Sequence, residues 1–296
     1  MKRLVTLYQV NHFEKLAEVA DGFLLGNDQF GTRLTKSFSI SEIKQVVEQN
    51  EVLQKELFLV ANQMMTDEQL DSFTHFLKEL PLAAFTGVIV GDIGAIMVLK
   101  KLGKEHLAIY NPETLLTNDY DFNHLSREHI FGAFVAKEIT LADLKRIGHS
   151  KKHALFMVGH GHLNMFYSKR QLLQNYLQYA ELSLSLHQKQ NLAIVEERRE
   201  ETQPILEDEA GTHVFRAPVF QTLNVQKDLA TVIDYLVIDT LFKDDEYGFQ
   251  VLSLYRQDAP NEADVKNLQA QYQETWDEGF LYTKTIYQTK DLIDND

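Results

Sequence analysis

The chain has 296 residues, 44% of them hydrophobic, and a formal net charge of −14, enough apolar material for one large α/β domain or for one and a half smaller ones. It contains no cysteine, which excludes disulfides, a thiol nucleophile, thiolate zinc sites and any cysteine-held iron–sulfur cluster in this chain. The acidic balance repels phosphate on average, so a nucleic-acid role requires a local basic patch or a basic partner.

No apolar run approaches the roughly 20 residues of a membrane span, and MKRLVTLYQV is followed at once by His12 and Glu14. These features predict a cytoplasmic, unprocessed protein. From Leu4 onward, short apolar runs alternate with amphipathic stretches at a spacing of roughly 30 residues, the rhythm of β–α units. Strands are predicted at 4–8, 22–26, 56–62, 86–92, 106–111 and 130–139. Helices are predicted at 13–21, after a cap at Ser39 or Ser41 with Glu42 as capping-box partner, after Thr66 with Gln69 in the same role, at 95–102 and at 140–147.

The stretch HALFMVGHGHLNMFYSKRQLLQNYL, residues 153–177, reads as a seventh strand ending at Gly-His-Gly-His, then a helix over Ser168–Leu177. Glycines flanking His160 permit backbone conformations closed to bulkier residues, so the imidazole and main-chain donors are expected together at the strand end. After Leu177 the runs SLSLHQ, LAIVEER and THVFRA alternate with turn-like segments, predicting a small antiparallel β insertion over 181–218. A helix at 222–234, a strand at 235–242 and a helix at 248–255 restore the rhythm. Eight β–α units predict a closed (β/α)8 barrel of the TIM type, spanning 1–258 with the insertion inside it, followed by a C-terminal extension at 259–296 whose acidic end is expected to fray.

Asn62, Asp92, Asn111, Glu113, Lys137, Glu138, His160, His162 and Asp239 each follow an apolar run, and a barrel would gather them on one rim. From these, His160, Glu138 and Asp239 are the candidate catalytic residues, and Asn62, Asp92, Glu113 and His160, together with Asn164, the candidate ligand-binding ones. For each, a helix cap or a loop hydrogen bond is the competing explanation. His160 and His162 are two apart, so on an extended segment they share a face, a spacing that metal sites use, with Glu138 or Asp239 available to complete the set. Ser168 fits a helix N-cap. Lys145, Arg146, Lys151, Lys152, Lys169 and Arg170 straddle both ends of the seventh strand and are not expected to form one patch.

The run His160, Gly161, Asn164, Tyr167, Ser168, Gln171 to Leu177 resembles the signature of the collagenase-like peptidases, family U32. The resemblance extends to Asn62, Asp92 with Gly94, Asn118, Glu138 and the segment Glu207-Asp208-Glu209-x-Gly211-Thr212. Members with the full signature carry four cysteines, and several hold an iron–sulfur cluster and take part in hydroxylation of RNA bases or quinone precursors. Here Asn164 and Gln171 stand at the first two cysteine positions, SLHQKQNL replaces the segment that carries the others, and Val237–Lys243 lacks the family's anion-binding arginine. The chain is similar to the shorter, cysteine-less partner of a pair that forms 5-hydroxyuridine in transfer RNA in Gram-positive bacteria. The resemblance therefore implies no cofactor in this chain, a cluster only in a cysteine-bearing paralogue, and tRNA reached through that partner. The alternatives are a peptidase, as the family label says, and a metal-dependent barrel enzyme using a histidine–carboxylate site.

Overall fold

The computed structural model describes residues 1–183, 186, 191–195 and 201–283. Strands β1 (Lys2–Thr6), β2 (Gly22–Gly26), β3 (Glu56–Ala61), β4 (Gly87–Val90), β5 (Ala108–Tyr110) and β6 (Gly132–Phe134) pair in order and in parallel with the first half of β7 (Ala154–Ser168). Strands β8 (Leu192–Val195), β9 (Thr202–Asp208) and β10 (Gly211–Gln221) then build an antiparallel sheet on the second half of β7. Strand β11 (Tyr235–Ile238) pairs in parallel with both β7 and β1 and closes an eight-stranded barrel. The predicted architecture, a (β/α)8 barrel with an antiparallel insertion after its seventh strand, is the one observed. Among the described residues no helix is long and apolar enough to cross a membrane.

Local sequence explains the helices between the strands. Helix α1 (Phe13–Ala17) is short; α2 (Ile40–Leu53) and α3 (Asp67–Glu79) start at capping boxes formed by Ser39 with Glu42 and Thr66 with Gln69. Helices α4 (Ile93–Lys101), α5 (Asp119–His124) and α6 (Leu141–Ser150) start at Asp92, Asn118 and Thr140, whose side chains accept from backbone N–H groups of the first turn. Inside the barrel, Phe58, Phe134, Phe156 and Tyr235 fill the lumen, with Phe156 and Tyr235 stacked at 4.4 Å. Outside it, Val5, Phe23, Leu57 and Val88 pack against the helices.

The strand predicted over 235–242 ends at Ile238 and the helix predicted over 13–21 ends at Ala17; four further expectations require correction. The strand predicted over 130–139 is only Gly132–Phe134, because the apolar run outlasts the ladder. The helix predicted over 222–234 is a 3-10 turn, Leu223–Val225, and one α turn, α8 (Gln226–Leu229). Thr222 is drawn away from a capping role, its hydroxyl donating to the Gly159 carbonyl and its N–H to the Tyr255 hydroxyl. The helix predicted from Gly248 begins three residues earlier as α9 (Asp245–Tyr255), capped by Asp244, because a helix-interior glycine is a weak signal.

The fourth concerns the seventh strand, which does not end at Gly-His-Gly-His but runs on to Ser168. Consequently no helix begins at Ser168: α7 (Leu172–Tyr179) starts later, and the Ser168 hydroxyl only accepts from Arg170 N–H. Glu207 and Thr212 cap α7 instead, accepting from the N–H groups of Leu173 and Gln174 and of Leu172. The predicted SLSLHQ strand and the end of the chain from residue 284 lie outside the described residues, apart from residues 183 and 186. Helix α10 (Glu262–Tyr272) and strand β12 (Trp276–Asp277), parallel to Val219–Phe220 of β10, pack the preceding residues onto the barrel and insertion.

Candidate functional site

At the C-terminal mouth of the barrel, above the apolar plug of Leu24, Ile89, Phe134 and Val237, lies a cavity of about 70 Å³. Its polar wall includes Arg33, Asn62, Asn111, Glu113, Lys137 and Asp239. The Glu113 carboxylate bridges two cations, the Arg33 guanidinium at 2.5 Å and the Lys137 ammonium in direct contact. All three side chains are largely buried, at 11%, 21% and 10% exposure for Arg33, Glu113 and Lys137. Burial alone would raise the Glu113 pKa, but the two cations outweigh it and hold the carboxyl at about 2. Burial lowers the Lys137 pKa, against the pull of Glu113. At Asp239 burial wins over the nearby Lys137 and raises the pKa, so this carboxyl takes up a proton more readily than an exposed one.

Backbone geometry marks the same mouth. Among the described non-glycine residues with positive φ, Gln54, His129, Glu181 and Gln273 follow helical turns, where a left-handed residue is ordinary. The other three are Arg33 (φ 58°), Glu113 (φ 67°) and Phe242 (φ 71°), in the loops after β2, β5 and β11. Such conformations cost of order 1–3 kcal/mol each and persist where the surroundings enforce them. An open groove of about 950 Å³ adjoins the cavity between the β2–α2 loop and the insertion, and Leu34 and Thr35 line both. That volume is in the range of small-molecule sites.

Of the residues singled out from sequence, Asn62, Glu113 and Asp239 meet at the cavity together with Lys137 and Asn111. Asn62 also accepts from Thr32 N–H at 2.9 Å. Asp92 serves the competing role, capping α4 and accepting from Met65 N–H. Glu138 is exposed, and its neighbour Lys137 is the residue that lines the cavity. Asn164 lies out on the insertion side of β7, its amide donating to the carbonyls of Phe166 and Val214.

His160 is displaced by one backbone irregularity. Val237 of β11 faces Val158, but the next residue, Ile238, faces His160, so Gly159 is an extra residue in β7. Side chains on a strand alternate, and one extra residue turns those beyond it to the other face. His160 therefore sits behind the barrel wall with no exposed surface. Its Nε2 is 2.7 Å from the Tyr247 hydroxyl, which donates to Glu274, and the ring lies edge-on to Trp276 at 4.7 Å. His162 Nδ1 is 2.9 Å from the Arg216 carbonyl. Among the described residues no group of three or more His, Asp or Glu side chains is arranged to hold a metal ion.

Arg33 and His213, which matter at the mouth, were not singled out, and Asp208 was named only as part of the segment that resembles the family's Glu-Asp-x-x-Gly-Thr. The 12-residue loop between β2 and the Ser39 cap, polar and too long for a simple connection, was the available signal for Arg33. Asp208 accepts from Arg33 N–H and the Thr32 hydroxyl, and His213 Nε2 lies 3.0 Å from that hydroxyl. Thr32, His213 and Asp208 are not a nucleophile relay. The carboxylate sits on the hydroxyl, whereas a relay needs it on the far nitrogen of the imidazole, and His213 Nδ1 has no partner. The residues at the signature's cysteine positions do not fit an iron–sulfur cluster: Asn164 is engaged as above, and the Gln171 amide donates to the Asp208 carbonyl.

Comparison with known proteins agrees with this architecture. A solved structure described as that of the U32 peptidase Mk0906 superposes with a TM-score of 0.53 at 12% identity, over 81% of this chain and 92% of that one, a likeness in fold. The tRNA hydroxylation protein P2 of Bacillus subtilis (strain 168) is 23% identical over 286 residues, 90% of this chain and 93% of that protein. The sequence model of Peptidase family U32 matches residues 10–288, nearly the whole chain, and the protein belongs to that family.

Proposed function

We propose that this protein is an accessory subunit in the hydroxylation of transfer RNA to 5-hydroxyuridine, acting beside a cysteine-bearing member of the same family. The observation that carries the reading is end-to-end similarity to a tRNA hydroxylation protein in a sequence with no cysteine. Without thiolates the chain has no conventional means of holding an iron–sulfur cluster. A net charge of −14 also makes it a poor lone ligand for RNA. A partner that supplies the cluster and the basic surface answers both points. The contribution of this chain is then its scaffold and the Arg33–Glu113–Lys137 cavity.

The test is deletion of the gene in its host, in a strain without a redundant hydroxylation route, followed by mass spectrometry of nucleosides from transfer RNA. The deletion is expected to abolish 5-hydroxyuridine and its derivatives, wild type to restore them, and Lys137→Met to fall at least tenfold short. Unchanged modification in the deletion strain overturns the reading. Cleavage of gelatin by the purified chain, lost in Lys137→Met, would favour the peptidase label instead.

A further inference from the structure

The insertion reaches the cavity through one carboxylate. Asp208, the last residue of β9, accepts from Arg33 N–H at 2.9 Å and from the Thr32 hydroxyl at 2.7 Å. His213 of β10, fully buried and stacked on Tyr167 at 4.6 Å, closes on the same hydroxyl. Arg33 is thus held twice, by the insertion at its backbone and by Glu113 at its guanidinium. On the opposite side, Leu206 and Phe215 of the insertion bury against Leu241 and Phe242, which follow Asp239. The insertion therefore grips two of the mouth loops that bring charge to the cavity, those that carry Arg33 and Asp239.

We propose that Asp208 is a positioning residue that fixes Arg33 against Glu113, so that the electrostatic state of the barrel cavity follows the docking of the insertion. The inference deepens the reading of the cavity as the working site and depends on that reading only for its functional consequence. An arginine at φ 58° stays there only where its surroundings hold it. Two bonds to an ionised acceptor supply that hold. Without them the loop relaxes toward negative φ, and the guanidinium no longer faces Glu113. Whatever moves the insertion then moves Arg33.

The experiment follows the Glu113 carboxyl by NMR of full-length protein labelled at glutamate side-chain carboxyls, with the signal assigned by its loss in Glu113→Gln. The charged and titratable groups facing Glu113 are Arg33, Lys137 and His213, with Asp239 also coupled to it. Wild type should remain ionised well below the ordinary glutamate range. Asp208→Ala should raise the titration by at least about one unit, toward the ordinary value near 4.3. Asp208→Asn, which keeps an acceptor oxygen, should not. Both variants lose a negative charge, an effect that alone would lower the Glu113 pKa, so the sign separates positioning from simple charge removal. Circular dichroism checks folding. Should Asp208→Ala not fold, Thr32→Val, which removes one of the two bonds, should give a smaller rise in the same direction. An unchanged or lowered titration in the folded variant overturns the proposal. If Lys137→Met retains tRNA hydroxylation while the titration shifts as stated, the functional reading falls and the positioning role stands.

Discussion

At His160 the imidazole has no exposed surface and its Nε2 lies 2.7 Å from the Tyr247 hydroxyl. Burial first, with His162 and Lys243 adding to it, lowers its pKa to about 3. An unfolded histidine titrates near 6.5, so the unfolded chain binds the proton more tightly. The neutral folded form is favoured fully above about pH 6.5, and stability is lost as pH falls from there toward 3. By pH 5 this single group costs about 2 kcal/mol relative to pH 7. His160→Phe should therefore lose about 2 kcal/mol less than wild type between pH 7 and 5, in urea unfolding at the two pH values. An equal loss in both proteins would show that His160 is not the group responsible. The residue types at the rim were legible, since Asn62, Glu113, Lys137 and Asp239 all follow apolar runs and all line the cavity. What was not legible was direction: Glu138 and Lys137 are adjacent in sequence, and only packing decides that the lysine reaches the cavity.

Among the elements, β7 departs furthest from expectation, and Gly159 and Gly161 account for its course. Gly159 is the extra residue that turns His160 outward. Gly161 has φ 134°, and a Cβ there would stand 2.5 Å from the Asp239 carbonyl oxygen, a backbone atom that cannot swing aside. Gly161→Ala should cost about 3 kcal/mol. Gly103, also at positive φ but with nothing within 4 Å of a built Cβ, should cost about 1 kcal/mol on the same change. Matched chemical denaturation of the two variants checks the difference, and equal costs would contradict the close-approach argument. The glycines of Gly-His-Gly-His read as a strand end because the same permissiveness serves a turn and a bulge. Sequence alone does not separate them. The antiparallel partner that extends β7, Gly211–Gln221, lies more than 40 residues further on. Helices α2 and α3, by contrast, were legible because a capping box is written within four residues.

For the whole molecule, barrel closure was legible from the count and spacing of apolar runs, and the pairing of β11 with both β1 and β7 completes it. The docking of Asp208 and His213 onto Thr32 and Arg33 was not, because those contacts span 175 to 181 residues and no local pattern encodes them. The resulting molecule combines a family match over residues 10–288 with a chain that has no thiol. Division of labour with a cluster-bearing relative is the central claim, and its most direct test is recovery of the tagged protein from its native host under anaerobic conditions, with protein identification and iron analysis. The account predicts a stoichiometric cysteine-bearing family member in the eluate, with iron that stays with that partner when the two chains are separated. Tagged protein that sustains tRNA hydroxylation in the host yet retains no such relative, or that carries the iron itself after separation, would contradict it.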